Sequence, residues 1–271
     1  WAGAAGRAGQ TVPQRGDDAI STRVADAIVL VIFVCIAVFP LFAILWRGIG
    51  PQLVAVLAWP AFWRATLTSL AIALLSGVLA TGIALVLATA RSRREVAGLA
   101  VWPLDLAISL YLAVSAIVLG TGMFILLRTF ADVFLLAPFL VMLGNMLVAL
   151  PFAYRILEGR LASLAASQDR LCAALDIRGW RRFRLVTLPA LAPEIGFAAG
   201  LSSALSLGDM TIVALFGSQQ FQTLPWLLYQ TMARYRAGEA AALALWLLCL
   251  TLLLFTMFVL AAKLAGRRNH A

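Results

Sequence analysis

The sequence predicts an all-α integral membrane protein with six transmembrane helices, and three observations predict it. Hydrophobic residues make up 63% of the 271, charged residues only 12%, and the mean hydropathy is +0.98, far too apolar for a soluble domain. Six stretches, at about 24–46, 65–90, 99–127, 133–154, 195–216 and 240–262, each reach the roughly 20 residues that carry a helix across a bilayer core. They are also too long and too uniformly apolar for barrel strands, and lipid admits only helices or closed barrels.

Taken in order, residues 1–22 open with WAGAAGRAGQTVPQRGDD, which is small and polar. A signal peptide would place charge before an apolar run and a cleavage site, so this segment reads as a linker within a longer chain. Residues 24–46 form the first transmembrane helix, residues 60–262 the core domain, and residues 263–271 a basic tail. Cys35 and Cys249 fall in apolar spans and Cys172 falls outside them, a pattern that suggests no disulfide framework.

The basic residues orient the spans. With the N-terminus inside, sixteen of the 21 Lys and Arg residues lie in cytoplasmic segments, leaving only Arg47, Arg64, Arg128, Arg234 and Arg236 outside. That asymmetry places both termini in the cytoplasm. It also accounts for most of the net charge of +9 as a basic inner rim facing membrane lipid, with no nucleic acid required.

The longest segment between spans is the cytoplasmic loop at about 155–192. RILEGRLASLAASQDRLCAALDI carries apolar residues near a helical period. Gly179 follows as a turn, and WRRFRLVTLP then interleaves Trp180 and Phe183 with arginines until Pro189. The expected shape is helix, tight turn, short helix and return to the membrane. Residues alone leave three readings open: a solvated positive-inside loop, an interfacial helix on anionic lipid, or a helix docking in a partner's groove.

Within the spans, Asp209 is the leading candidate, because an aspartate at a helix centre costs about 2.5–3.5 kcal/mol on insertion scales. Ser202, Ser206 and Asp209 follow at i, i+4 and i+7, one polar stripe on a helix. They read either as bundle packing satisfied by neighbouring polar groups or as a solute path stabilising a cation. Asn145 reads as helix glue or as solute contact. Asp105 is placed near the inner interface. Trp226 and Tyr229, in the external loop, read as interface anchors or as an outer gate that stacks on an aromatic cation.

Other classes are disfavoured. The one histidine is His270 and the one lysine Lys263. The chain holds no H-E-x-x-H, no Cys/His cluster and no G-x-x-x-x-G-K-[ST], so neither a metal enzyme nor an ATPase is written in it.

The loop resembles the cytoplasmic coupling loop of type I ABC importer permeases, whose pattern is Glu-Ala-Ala, three residues, Gly, nine residues, Ile-x-Leu-Pro. Anchoring on Thr187-Leu188-Pro189 places the Glu-Ala-Ala at Arg170, Leu171 and Cys172, the glycine at Asp176 and the isoleucine at Val186. Arg and Asp thus replace the family's Glu and Gly, and Gly179 is expected to take over the turn. NMLVALPFAYRIL (Asn145 to Leu157) and LAVSAIVLGTGMFILL (Leu112 to Leu127) are similar to the iron(III) and thiamine branch. LSLGDMTIVALFG (Leu205 to Gly217) and FQTLPWLLYQTMARYR resemble the second half of its thiamine permeases.

The resemblance implies the type I ABC importer permease fold. It also implies a bacterial inner-membrane subunit that moves thiamine, or a phosphorylated thiamine, inward. Its coupling residues would be Arg170, Cys172, Ala173, Ala174, Leu175, Asp176, Arg178, Gly179, Trp180, Arg181, Arg182, Phe183, Leu188 and Pro189. Its implied partners are a cytoplasmic ATP-binding subunit, a periplasmic solute-binding protein and a second permease half, fused or separate. ATP and Mg would sit on the ATPase, with no cofactor or metal held by this chain. The alternatives are a permease for iron(III), polyamine or another small solute, and a non-transporting membrane scaffold.

Overall fold

The computed structural model describes residues 20–130, 132–174, 177, 179–217 and 221–268, and these fall into two units, Trp1–Trp46 and Arg47–Ala271. The helix α1 (Ile20–Gly48) makes up the described part of the first unit and presents an apolar surface over residues 27–46, with Phe33, Ile36 and Phe39 each at least 70% exposed. Such a surface suits hydrocarbon on every side.

The second unit begins with α2 (Pro51–Leu57) and α3 (Pro60–Val96), each opened by a proline in its first turn, where the missing N–H costs nothing. The helices α4 (Trp102–Ala113) and α5 (Ala116–Leu127) follow, then α6 (Ala137–Ala174). At 37 and 38 residues, α3 and α6 run about 55 Å each, well beyond a bilayer core of about 30 Å, so both project from it. Next come α7 (Gly179–Arg182), a π-helical turn (Phe183–Thr187) and α8 (Leu188–Ala190). The chain continues through α9 (Ala192–Gly208), α10 (Thr211–Phe216), α11 (Leu224–Ala233) and α12 (Ala237–Arg268).

Among the described residues, four helices are long and apolar enough to cross a membrane, and up to six spans result if each of two bent pairs counts as one. The single helix expected at 99–127 is one of these pairs. It breaks at Val114 and Ser115, both extended, and bends by 93° between its arms. A β-branched residue followed by a serine that favours helix starts explains the break locally. The other pair joins residues 179–190 to α9 at 67°. Pro193 lacks the N–H needed to continue the ladder there.

In this unit α9 packs against α3, α6 and α12. Gly196 and Gly200 form a G-x-x-x-G spacing toward α12. A Cβ on Gly196 would stand 2.1 Å from Ala262 Cβ and 2.8 Å from the Phe258 carbonyl oxygen. Without a strong hydrophobic drive between helices in lipid, such close backbone approach is what holds them. One core cluster joins Ala84, Ile108, Tyr154, Leu157 and Ala198, and another joins Ile72, Val141, Ile212 and Phe216. Between the two lies a belt of polar side chains.

Candidate functional site

That belt is built from α3, α6 and α9. Asn145 Nδ2 donates to the Ser206 carbonyl oxygen at 3.2 Å and to Ser206 Oγ at 2.9 Å. A backbone carbonyl only accepts, which fixes the amide's orientation. Ser206 Oγ lies 2.8 Å from Ser76 Oγ, and Ser76 donates in turn to the Ile72 carbonyl. The chain of donors therefore runs Asn145, Ser206, Ser76, backbone. Ser69 Oγ accepts the Leu224 N–H at 2.7 Å, tying α3 to the start of α11.

The expected stripe of Ser202, Ser206 and Asp209 needs correction at its last member. The helix ends at Gly208, and Asp209 is extended (φ −73°, ψ 126°) rather than helical. Its carboxylate accepts the N–H groups of Thr211 at 3.1 Å and Ile212 at 3.2 Å. Those are the donors a helix leaves unpaired at its start, so Asp209 breaks the fifth span because it caps α10.

Asp209 nonetheless lines a narrow cavity with Ser69, Asn145, Ser206 and Thr223. Asn145 is 3% exposed, and its Oδ1 has no hydrogen-bond partner among the described residues. The same holds for the buried hydroxyls of Ser202 and Thr223. Buried polar groups are normally paired, and the cavity beside Asn145 and Thr223, at about 10 Å³, has room for a single water. A carboxylate beside an orphan amide oxygen favours a cationic or hydrogen-bond-donating guest.

At the other end of α3 and α6 the polar groups are saturated. Arg91 Nε and Nη2 donate to the two Asp105 oxygens at 2.8 and 3.1 Å. Arg91 also pairs with Glu95 at 3.0 Å and Glu158 at 3.4 Å. Tyr154 Oη donates to Asp105 Oδ1 at 3.3 Å, and Arg155 reaches Glu158 and Ser109. This cluster joins α3, α4 and α6.

Of the predicted coupling residues, Leu175, Asp176 and Arg178 lie outside the described residues, as do the side chains of Arg170, Ala173 and Ala174. Cys172 is buried near the end of α6, and its carbonyl accepts the Ile177 N–H at 2.9 Å. Gly179 takes the turn with φ +59°, a conformation that costs other residues. Trp180 and Phe183 stack at 5.3 Å and line a cleft with Leu85, Thr89, Ala90 and Arg93 of α3. Arg181 is exposed and Arg182 partly buried. Leu188 and Pro189 line a separate apolar groove together with Arg184.

Trp226 stacks on Tyr229 at 5.8 Å. Trp226 packs on the core cluster around Phe216, whereas Tyr229 is half exposed. Sequence reasoning missed Ser69, Ser76 and Thr223, which look like ordinary small residues in apolar surroundings. It also missed the pairing of Arg91 with Asp105 and Glu158. The i, i+7 spacing of Ser69 and Ser76 was the one available signal.

No protein-family model matches the chain. Among curated proteins, the thiamine transport system permease protein of Escherichia coli (strain K12) is 38% identical over 255 residues, 93% of this chain. That of Brucella abortus (strain 2308) is 37% identical over 262 residues, 96% of this chain. A putative 2-aminoethylphosphonate transport system permease protein of Salmonella paratyphi A is 28% identical over 129 residues, 48% of this chain and 49% of that protein. The chain spans about half the length of the curated relatives it matches, 47% of each thiamine permease named above. It is a multi-pass, all-helical relative of membrane transport permeases.

Proposed function

We propose that this chain is one membrane half, the second, of an ATP-driven importer that carries thiamine or a phosphorylated thiamine into the cytoplasm. The observation that carries this reading is similarity over nearly the whole chain, at 37–38% identity, to permeases named for thiamine transport. The polar belt agrees with that solute class. Asp209, Asn145, Ser206 and Ser202 form the path, with the carboxylate and the free amide oxygen meeting a cation. Trp226 and Tyr229 stand on the outer side, where an aromatic ring could stack on them.

The segment from Gly179 to Pro189 couples the path to a cytoplasmic ATPase, which holds ATP and Mg, and a periplasmic protein delivers the solute. Both termini face the cytoplasm of a bacterial inner membrane, as the distribution of arginines supports. The test is labelled thiamine uptake in cells lacking their own importer, with the full permease, its ATPase and its binding protein expressed together. Wild type should accumulate thiamine, and Arg181→Glu should lose both uptake and ATPase association. Uptake of a different solute and not thiamine would overturn the substrate assignment. No uptake of any solute by a fully assembled complex would favour a scaffold.

A further inference from the structure

Arg184 stands apart from the other arginines of its segment. Its side chain lines a groove of about 760 Å³ bounded by α3, α8, α9 and α12. The groove's walls include Val78, Gly82, Leu188, Gly196 and Phe258, with no carboxylate among its lining residues. Among the described residues, Arg184 makes no ion pair. A Cβ placed on Gly82 would meet nothing within 4 Å, so the groove is open at that wall.

The groove's position fixes what can fill it. Ala261 and Ala262 of α12 line it, and Lys263 follows immediately. Under the inward orientation proposed above, on which this inference rests, Lys263 marks the cytoplasmic headgroup level. The groove then begins at that level and extends into the inner leaflet. An apolar trough with an exposed guanidinium on its lining, free of any ion pair among the described residues, complements an amphiphile with an apolar tail and a negative head.

We propose that this groove binds an anionic phospholipid of the cytoplasmic leaflet. Its acyl chain lies along Val78 and Gly82, and its phosphate is held by Arg184. The site sits at the 67° bend between residues 179–190 and α9, so a bound lipid braces the hinge through which coupling would pass.

The test is native mass spectrometry of the full permease, purified in mild detergent and titrated with phosphatidylglycerol or phosphatidylcholine. Wild type should prefer phosphatidylglycerol by about fivefold, the contribution of one arginine near an anionic surface. Arg184→Gln should lose the preference while still taking up lipid, and Arg184→Lys should keep it. Gly82→Leu should fill the groove and reduce binding of both lipids. Equal binding of the two lipids by wild type, or unchanged preference in Arg184→Gln and unchanged uptake in Gly82→Leu, would overturn the site. Cross-linking of a cysteine at position 82 to the second permease half would overturn it too, since protein would then cover the groove. None of these readouts involves transport, so the thiamine assignment stands or falls separately.

Discussion

Two polar regions along α3 and α6 are built on opposite terms. Around Arg91 every charge has a partner: Asp105 takes a bidentate pair, and Glu95, Glu158, Tyr154 and Arg155 close the network. Around Asn145 the accounts are left open, with Asn145 Oδ1, Ser202 Oγ and Thr223 Oγ1 buried and unpartnered among the described residues. A saturated cluster fixes helices in place, and an unsaturated one keeps affinity in reserve for a guest. The contrast separates groups that hold the fold from groups that we propose meet a solute.

Removing Arg91 should break the contrast hardest. Arg91→Leu leaves Asp105 and Glu158 without their shared cation and should cost about 2 kcal/mol, toward the low side because Asp105 keeps a third of its side chain exposed. Thermal unfolding of the purified permease measures it. Replacing Arg91, Asp105 and Glu158 together with apolar residues should recover most of the loss. Recovery in the triple variant together with normal uptake would mark the cluster as structural.

The open cluster responds differently at each position. Asn145→Leu removes the donor to Ser206 and leaves that carbonyl buried without it, at a cost of about 1–2 kcal/mol in the same assay. Asp209→Ala should cost about 1 kcal/mol through loss of both hydrogen bonds at the start of α10, whereas Asp209→Asn keeps one acceptor oxygen and should cost less. The smallest effect belongs to the coupling turn. Gly179→Ala forces a side chain into φ +59° and should cost about 1 kcal/mol or less where the turn can relax, visible as a small fall in melting temperature.

Much of this architecture was legible in the sequence because lipid imposes simple rules. The long apolar runs of α3, α6 and α12 could be read from hydropathy and period, and the turn at Gly179 from its glycine. The break at Asp209 was not legible. Hydropathy continues through Leu205 to Phe216, and only three-dimensional geometry reveals that the carboxylate turns to the N–H groups of Thr211 and Ile212. The ionic cluster was hidden because its members are 14 and 67 residues from Arg91 in sequence. The stacking of Trp180 on Phe183 over a cleft beside α3 was hidden for the same reason. Periodicity places an aromatic on a face but does not say which neighbour that face meets.

Asp209 is proposed to serve a solute as well as a helix, and one paired measurement tests that double role. Thiamine uptake by the assembled importer and thermal stability of the permease are compared between wild type and Asp209→Asn. Stability should fall by less than in Asp209→Ala, because asparagine keeps one of the two acceptor oxygens at the start of α10, while uptake should fall about tenfold or more, the scale of one hydrogen bond to a charged group. Wild-type uptake in Asp209→Asn would mean that the carboxylate's charge serves no solute, leaving Asp209 as the cap of α10 and nothing more.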